Sequence, residues 1–140
     1  ETHDPPSLLY AVKQVELAVR AHLDDIVRPA GITALQYTAL TVLQRRNAST
    51  AADLARLSFV TTQSMSDLVA ALERRGLISR DRDPDDGRRI VLSLPREGEA
   101  LLADMAEPVA ALEARMVADL TPAKVAAFRA ALNQARAALA

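Results

Sequence analysis

Between positions 61 and 66 the chain sets out Thr61, Thr62, Gln63, Ser64 and Ser66. Hydroxyls and a primary amide, with no general base beside them, are poor catalysts but good readers of base edges. A glutamine amide can bond adenine in a bidentate manner, and serine or threonine can donate to or accept from several bases. Further along come Arg80, Arg82, Arg88 and Arg89. A guanidinium is a fixed fork of donors that suits phosphate and the narrow minor groove, and Arg88 sits beside Gly87 at what reads as a loop tip. Taken singly, each polar residue reads better as a solvated surface position or a helix cap. Their grouping on one helical face favours base reading. For the arginines, ion pairs with Asp83, Asp85 and Asp86 are the plain alternative, and both readings are expected to hold in part, some aspartates orienting arginines rather than cancelling them.

Other chemistry finds little support. The chain has no cysteine, hence no disulfide, thiolate nucleophile or thiol redox switch. His3 and His22 are the only histidines, too few and too far apart for a zinc site. Neither a glycine-rich phosphate loop nor a nucleophile elbow occurs. The pairs Asp24-Asp25 and Asp85-Asp86 read as solvated surface, because adjacent helical residues point apart and the second pair lies in a turn. The expectation is no catalytic residue, no metal and no cofactor.

The elements that must carry these residues follow from periodicity. Leu8, Val12, Val15, Val19, Leu23 and Ile26 recur at steps of three and four, an amphipathic helix that Pro29 and Gly31 end. Residues 1–7 read as a polar lead-in. Thr33 with Gln36 is a capping box and Ile32 with Tyr37 a hydrophobic staple for a second helix, with Leu35, Ala39, Val42 and Leu43 inward. Thr50 with Asp53 starts a short third helix with Leu54 and Leu57 inward. The fourth opens near Thr61 and buries Met65, Leu68, Val69 and Leu72, leaving Thr62, Gln63, Ser66 and Asp67 on its outer face. Arg74 and Arg75 complement its dipole, and Gly76 ends it. The period then falls to two: Ile90, Leu92 and Leu94 point inward between Arg89, Val91 and Ser93, so 77–80 and 89–94 should pair as an antiparallel hairpin turned by Pro84, Asp86 and Gly87. After Pro95 a long stripe runs through Leu101, Met105, Val109, Leu112, Met116 and Leu120, with Pro108 expected to kink or break it. Thr121-Pro122 starts a last helix with Val125, Phe128, Leu132, Ala135 and Leu139 in a coiled-coil-like seam.

The fold class is therefore mainly α with a small β-hairpin wing: a winged helix-turn-helix head at 32–94, flanked by helices at 8–28 and 96–140, in one domain of 140 residues. With two Phe, two Tyr and no Trp the core must be aliphatic. No apolar run is long enough to cross a bilayer and no leader is visible, so a soluble cytoplasmic protein is expected; what precedes Glu1 is left open. A net charge of −1 does not advertise a polyanion partner, so the local arrangement must carry that reading. Three long amphipathic helices around a small head exceed what one chain can cover. A homodimer sealed through Leu8, Val12, Val15, Leu112, Met116, Val125, Phe128, Leu132 and Leu139 would bury them and set two heads on one face of duplex DNA. Heads about 34–36 Å apart would read a pseudo-palindromic operator.

The run 68–78, with Leu72-Glu73-Arg74-Arg75-Gly76-Leu77-Ile78 at its end, and Asp83-Pro84-Asp85-Asp86-Gly87-Arg88-Arg89 before an alternating strand, resemble the MarR (multiple antibiotic resistance regulator) family of bacterial transcription factors. The resemblance covers about residues 32–102 in motif and extends to both ends in helix order. It implies a homodimer built on the first, fifth and sixth helices, a recognition helix in the major groove, Arg88 in the minor groove, and in many members release of DNA on binding a small aromatic or phenolic acid. Three positions depart from the family pattern: Asp67 where arginine is common, Phe59 where glycine is common, and Leu94-Pro95 where Leu-Thr is common. An effector pocket could use Arg20 and His22 on a carboxylate and Tyr37 on a ring; Tyr37 as a staple with the other two on the surface is an equal reading. The expected function is a ligand-responsive repressor. The alternatives are a protein-interaction adaptor that has lost DNA binding, favoured by Asp67 and the low net charge, and a small-molecule sequestering or catalytic protein, for which no site stands out.

Overall fold

The computed structural model describes residues 7–47, 49–58 and 60–140; Phe59 and His3 lie outside the described residues. The order is α1 (Leu8–Val27), a single 3-10 turn (Arg28–Ala30), α2 (Ala34–Arg45), α3 (Ala51–Ser58), α4 (Thr62–Arg74), β1 (Ser79–Arg82), β2 (Ile90–Ser93), α5 (Arg96–Met116) and α6 (Pro122–Ala138). The chain falls into two compact units, Glu1–Ala106 and Glu107–Ala140.

The first unit is held by an aliphatic core. Leu40, Leu43, Leu54, Met65, Leu72, Ile78 and Leu92 are almost completely buried, so α2, α3, α4 and the hairpin share one interior. Local caps start its helices as the sequence dictates. Thr33 Oγ1 accepts from Gln36 N at 3.2 Å while Gln36 Oε1 accepts from Thr33 N at 2.9 Å. Thr50 and Asp53 make the same reciprocal pair at 3.1 and 3.3 Å. Each pair satisfies amides that the first helical turn leaves unbonded. Gly31 ends the α1 corner at φ 77° and Gly76 ends α4 at φ 73°, both in the left-handed region.

Four expectations change. Leu35 is 40% exposed rather than inward; the buried face of α2 centres on Ala39, Leu40 and Leu43, and Leu35 lies roughly a quarter turn from it. The hairpin begins later than 77, because Leu77 and Ile78 are consumed by the core, and its register pairs Ser79 with Ser93, Arg80 with Leu92, Asp81 with Val91 and Arg82 with Ile90. Ile90 is therefore exposed, at the wing end of the ladder beyond the core, while Val91 is buried. Finally, α5 runs unbroken through Pro108. The proline removes one bond, to the carbonyl of exposed Asp104, which water can replace.

The second unit is a hairpin of the end of α5 with α6. Thr121 Oγ1 caps α6 by accepting from Lys124 N at 3.2 Å, and Pro122 occupies the first turn. No residue from 107 to 140 is buried. Met116, Leu132 and Leu139 are exposed, and Leu112, Val125 and Phe128 are half-buried. In the first unit Leu8, Val12 and Val15 of α1 are likewise exposed.

Candidate nucleic-acid interface

Helix α4 starts at the N-cap Thr61, whose hydroxyl accepts from Ser64 N at 3.1 Å and also donates to Ser64 Oγ at 3.0 Å. These two hydroxyls thus serve the helix start, although both residues remain exposed. Thr62, Gln63 and Ser66 form the exposed face that is left, opposite the buried Met65, Val69 and Leu72. Gln63 Nε2 lies 3.5 Å from Asp67 Oδ1, one turn on, which leaves its Oε1 the unpartnered end among the described residues.

The four wing arginines are not equivalent. Arg80 faces Glu73 at 3.4 Å, tying β1 to the last turn of α4. Arg82 Nη1 donates to the Gly87 carbonyl at 2.9 Å and closes the loop. Arg89 reaches Asp53 of α3 at 3.4 Å and Asp83 at 4.0 Å. Arg88 differs: its backbone N donates to Asp86 Oδ1 at 3.1 Å, and among the described residues its guanidinium has no partner. The aspartates mostly shape backbone, Asp83 Oδ1 accepting from Asp85 N at 2.9 Å. Of the plain alternative, ion pairs to Asp83, Asp85 and Asp86, only Arg89 with Asp83 forms among the described residues; Glu73 and Asp53 pair with Arg80 and Arg89.

Asp53 is the joint of this arrangement. Its bonds with Thr50 hold its carboxyl below the usual aspartate range, and the charges of Arg56 and Arg89 act in the same direction. One carboxylate therefore caps α3 and anchors the wing.

Sequence reasoning missed the contacts between distant elements. Asp24, assigned to solvated surface, accepts from Ala34 N at 2.7 Å and joins the capping of α2. Arg75 reaches back to the carbonyls of Ala30 and Gly31. Ser58 Oγ is buried with no hydrogen-bond partner among the described residues.

Arg20, His22 and Tyr37 are not joined to one another by any hydrogen bond or ion pair among the described residues. Arg20 pairs with Glu16 one turn back on α1. Tyr37 packs against the core, and burial pushes its hydroxyl pKa up. A groove lies elsewhere, in the second unit, lined by Met116, Val125, Phe128, Arg129 and Leu132. Among the described residues no three His, Asp or Glu side chains gather as a metal site, and no helix is long and apolar enough to cross a membrane.

The sequence profile of the MarR family matches residues 30–89, the stretch that holds α2, α3, α4, β1 and the loop leading to β2. The chain is 28% identical over 131 residues to the HTH-type transcriptional repressor Rv2887 of Mycobacterium tuberculosis, covering 94% of each chain. Over that stretch the chain is similar to the MarR family. The Homoprotocatechuate degradative operon repressor of Escherichia coli is 29% identical over 99 residues, 71% of this chain and 66% of that one. Among solved structures the transcriptional repressor CouR bound to a 23-mer DNA duplex is similar at a TM-score of 0.81 and 28% identity, covering 93% of this chain and 92% of that one. Escherichia coli MarR in its apo form shares the fold at a TM-score of 0.79 and 21% identity, over 95% of this chain and 98% of that one. The family's winged helix-turn-helix is thus the fold of this chain.

Proposed function

We propose that this chain is a MarR-family, sequence-specific DNA-binding transcriptional regulator, a ligand-responsive repressor that binds a pseudo-palindromic operator as a homodimer. The observation that carries the reading is the pairing of an exposed polar face on α4 with a wing whose Arg88 guanidinium is unpartnered. Thr62, Gln63 and Ser66 would meet base edges in the major groove and Arg88 the minor groove, with Arg80, Arg82 and Arg89 set beside phosphate. Thr61 and Ser64 contribute by fixing the helix start, whose free amides suit a phosphate. The similarity to CouR, a repressor bound to a 23-mer DNA duplex, supports the same assignment.

The dimer reading is supported by apolar surface that the chain leaves uncovered. Leu8 is 84% exposed and Leu139 87% exposed, and the stripes through Val12, Val15, Leu112, Met116, Val125, Phe128 and Leu132 continue from them. A second copy burying these faces would make 8–28 and 96–140 dimerisation helices of one functional domain. The effector is a small aromatic or phenolic acid, a class suggested by the name of the homoprotocatechuate operon repressor. Arg20, His22 and Tyr37 are its candidate ligands, after Arg20 leaves Glu16. The reading needs no catalytic step and no metal, and its setting is the cytoplasm.

A second reading, a winged-helix adaptor that binds protein, is favoured by Asp67 on the outer face of α4 and by the net charge of −1. Fluorescence anisotropy with DNA from upstream of the protein's own gene separates the two. Saturable binding that falls steeply with salt and outcompetes scrambled DNA is expected of the regulator. A folded dimer that fails on this DNA, and also on a randomised-sequence selection, would hand the lead to the adaptor.

A further inference from the structure

Arg75 follows the last residue of α4, yet its side chain is spent on the corner that follows α1. Its Nη2 donates to the Ala30 carbonyl at 2.6 Å and its Nη1 to the Gly31 carbonyl at 2.9 Å, across 45 and 44 residues of sequence. Those carbonyls close the 3-10 turn after α1, where unbonded carbonyls and the negative end of the helix dipole favour a cation. Gly31 makes room for the fork: a Cβ there would stand 3.3 Å from Nη1, and its φ of +77° already disfavours a side chain. Two features thus converge on one joint between the α1 corner and the end of α4.

We propose that Arg75 is a positioning residue for DNA reading, a strut that fixes the angle of α4 against the α1–α2 corner. Buried Met65, Val69 and Leu72 hold α4 along a single stripe, which resists translation better than tilt. The helix is about 20 Å long, so a tilt of about 5° about its middle moves the reading end by on the order of 1 Å. That displacement spoils a bidentate base contact, whose donor and acceptor distances tolerate only a few tenths of an ångström. Arg75 is itself exposed, so cutting it back removes little core burial. The same joint would carry any shift of the α1–α2 corner to α4. The DNA half of this proposal rests on the regulator reading; the mechanical half does not.

The test uses the full chain with Arg75→Met, Arg75→Lys and, as a charge control, Arg74→Met. Amide hydrogen exchange should show protection across residues 62–74 reduced about tenfold in Arg75→Met, with the second unit unchanged and Arg74→Met like the parent. Operator affinity should fall about tenfold, with the slope of log affinity against log salt unaltered and partial recovery in Arg75→Lys. Unchanged exchange within α4 overturns the strut. A salt slope reduced by about one instead assigns Arg75 to phosphate. Protection lost uniformly, in step with the melting temperature, makes it a stability prop only. If the parent chain binds no operator, the regulator reading falls while the exchange comparison still decides the strut.

Discussion

Replacing Gly98 by alanine sets two effects of opposite sign against each other at the start of α5. Alanine is the better helix former by about 0.8–1.0 kcal/mol, so an open site would gain stability. Gly98 is not open: it is buried, and an added Cβ would lie 2.5 Å from the Leu77 carbonyl oxygen and 2.5 Å from Leu94 Cδ1. The leucine can rotate, but the carbonyl belongs to the backbone that leads into β1 and cannot. Overpacking of this kind costs about 1–3 kcal/mol, and a backbone oxygen at 2.5 Å puts this site at the upper end, so the net effect is a loss of about 2 kcal/mol. For a chain of this size that lowers the melting temperature by about 3–8 °C. Two other glycines calibrate the experiment. Gly87→Ala meets nothing within 4 Å and should change stability by less than about 0.5 kcal/mol. Gly76→Ala also meets nothing within 4 Å but sits at φ +73°, and should lose about 1–2 kcal/mol from backbone strain alone. Differential scanning calorimetry of the three variants at fixed protein concentration decides the matter. A Gly98→Ala protein that melts at or above the parent temperature would refute the claim that α5 abuts the Leu77 backbone.

Arg88→Ala should weaken operator binding by about 1–3 kcal/mol, with sedimentation still reporting a dimer; unchanged affinity would remove the wing tip from the mechanism. Leu132→Asp places a carboxylate in an apolar seam, at a cost of several kcal/mol, and should raise the dimer dissociation constant at least about a hundredfold. A dimer that persists in sedimentation at micromolar concentration would show that α6 lies outside the interface. The depressed pKa of Asp53 predicts a contribution to stability that is complete above the ordinary aspartate pKa of about 3.9. It is lost as pH falls through the lower folded value, and urea midpoints measured across that acid range should lose this dependence in Asp53→Asn. Parallel curves for the two proteins would mean that the carboxylate holds neither α3 nor the wing.

What could be read from sequence was local. The capping pairs Thr33–Gln36 and Thr50–Asp53 span three residues each, within reach of a rule about helix starts, and both form. The stripes of α4 and the period-two run before Leu94 located the head and its hairpin for the same reason. Long-range polar joints were not legible. Nothing near Arg75 points to residue 31, nothing near Arg89 to Asp53, and nothing near Gly98 to the Leu77 carbonyl, because such partners are chosen by how whole elements pack. Ile90 and Val91 exchanged roles since alternation says which residues share a face but not where the covered part of a ribbon ends. Of the two outcomes expected at Pro108, a kink or a break, the break does not occur: one hydrogen bond is lost while the turns on either side of the proline keep theirs.

The pairing of three wing arginines with Glu73, the Gly87 carbonyl and Asp53 bears on how a protein of this design finds its target on a chromosome. Attraction to arbitrary duplex grows with each unshielded cation brought to phosphate, and here two of the four wing arginines already face a carboxylate. The head should rest only briefly on irrelevant sequence, leaving a larger share of molecules free to sample new stretches. Occupancy of the operator then depends less on how much bulk DNA surrounds it and more on the few bases that α4 can grip.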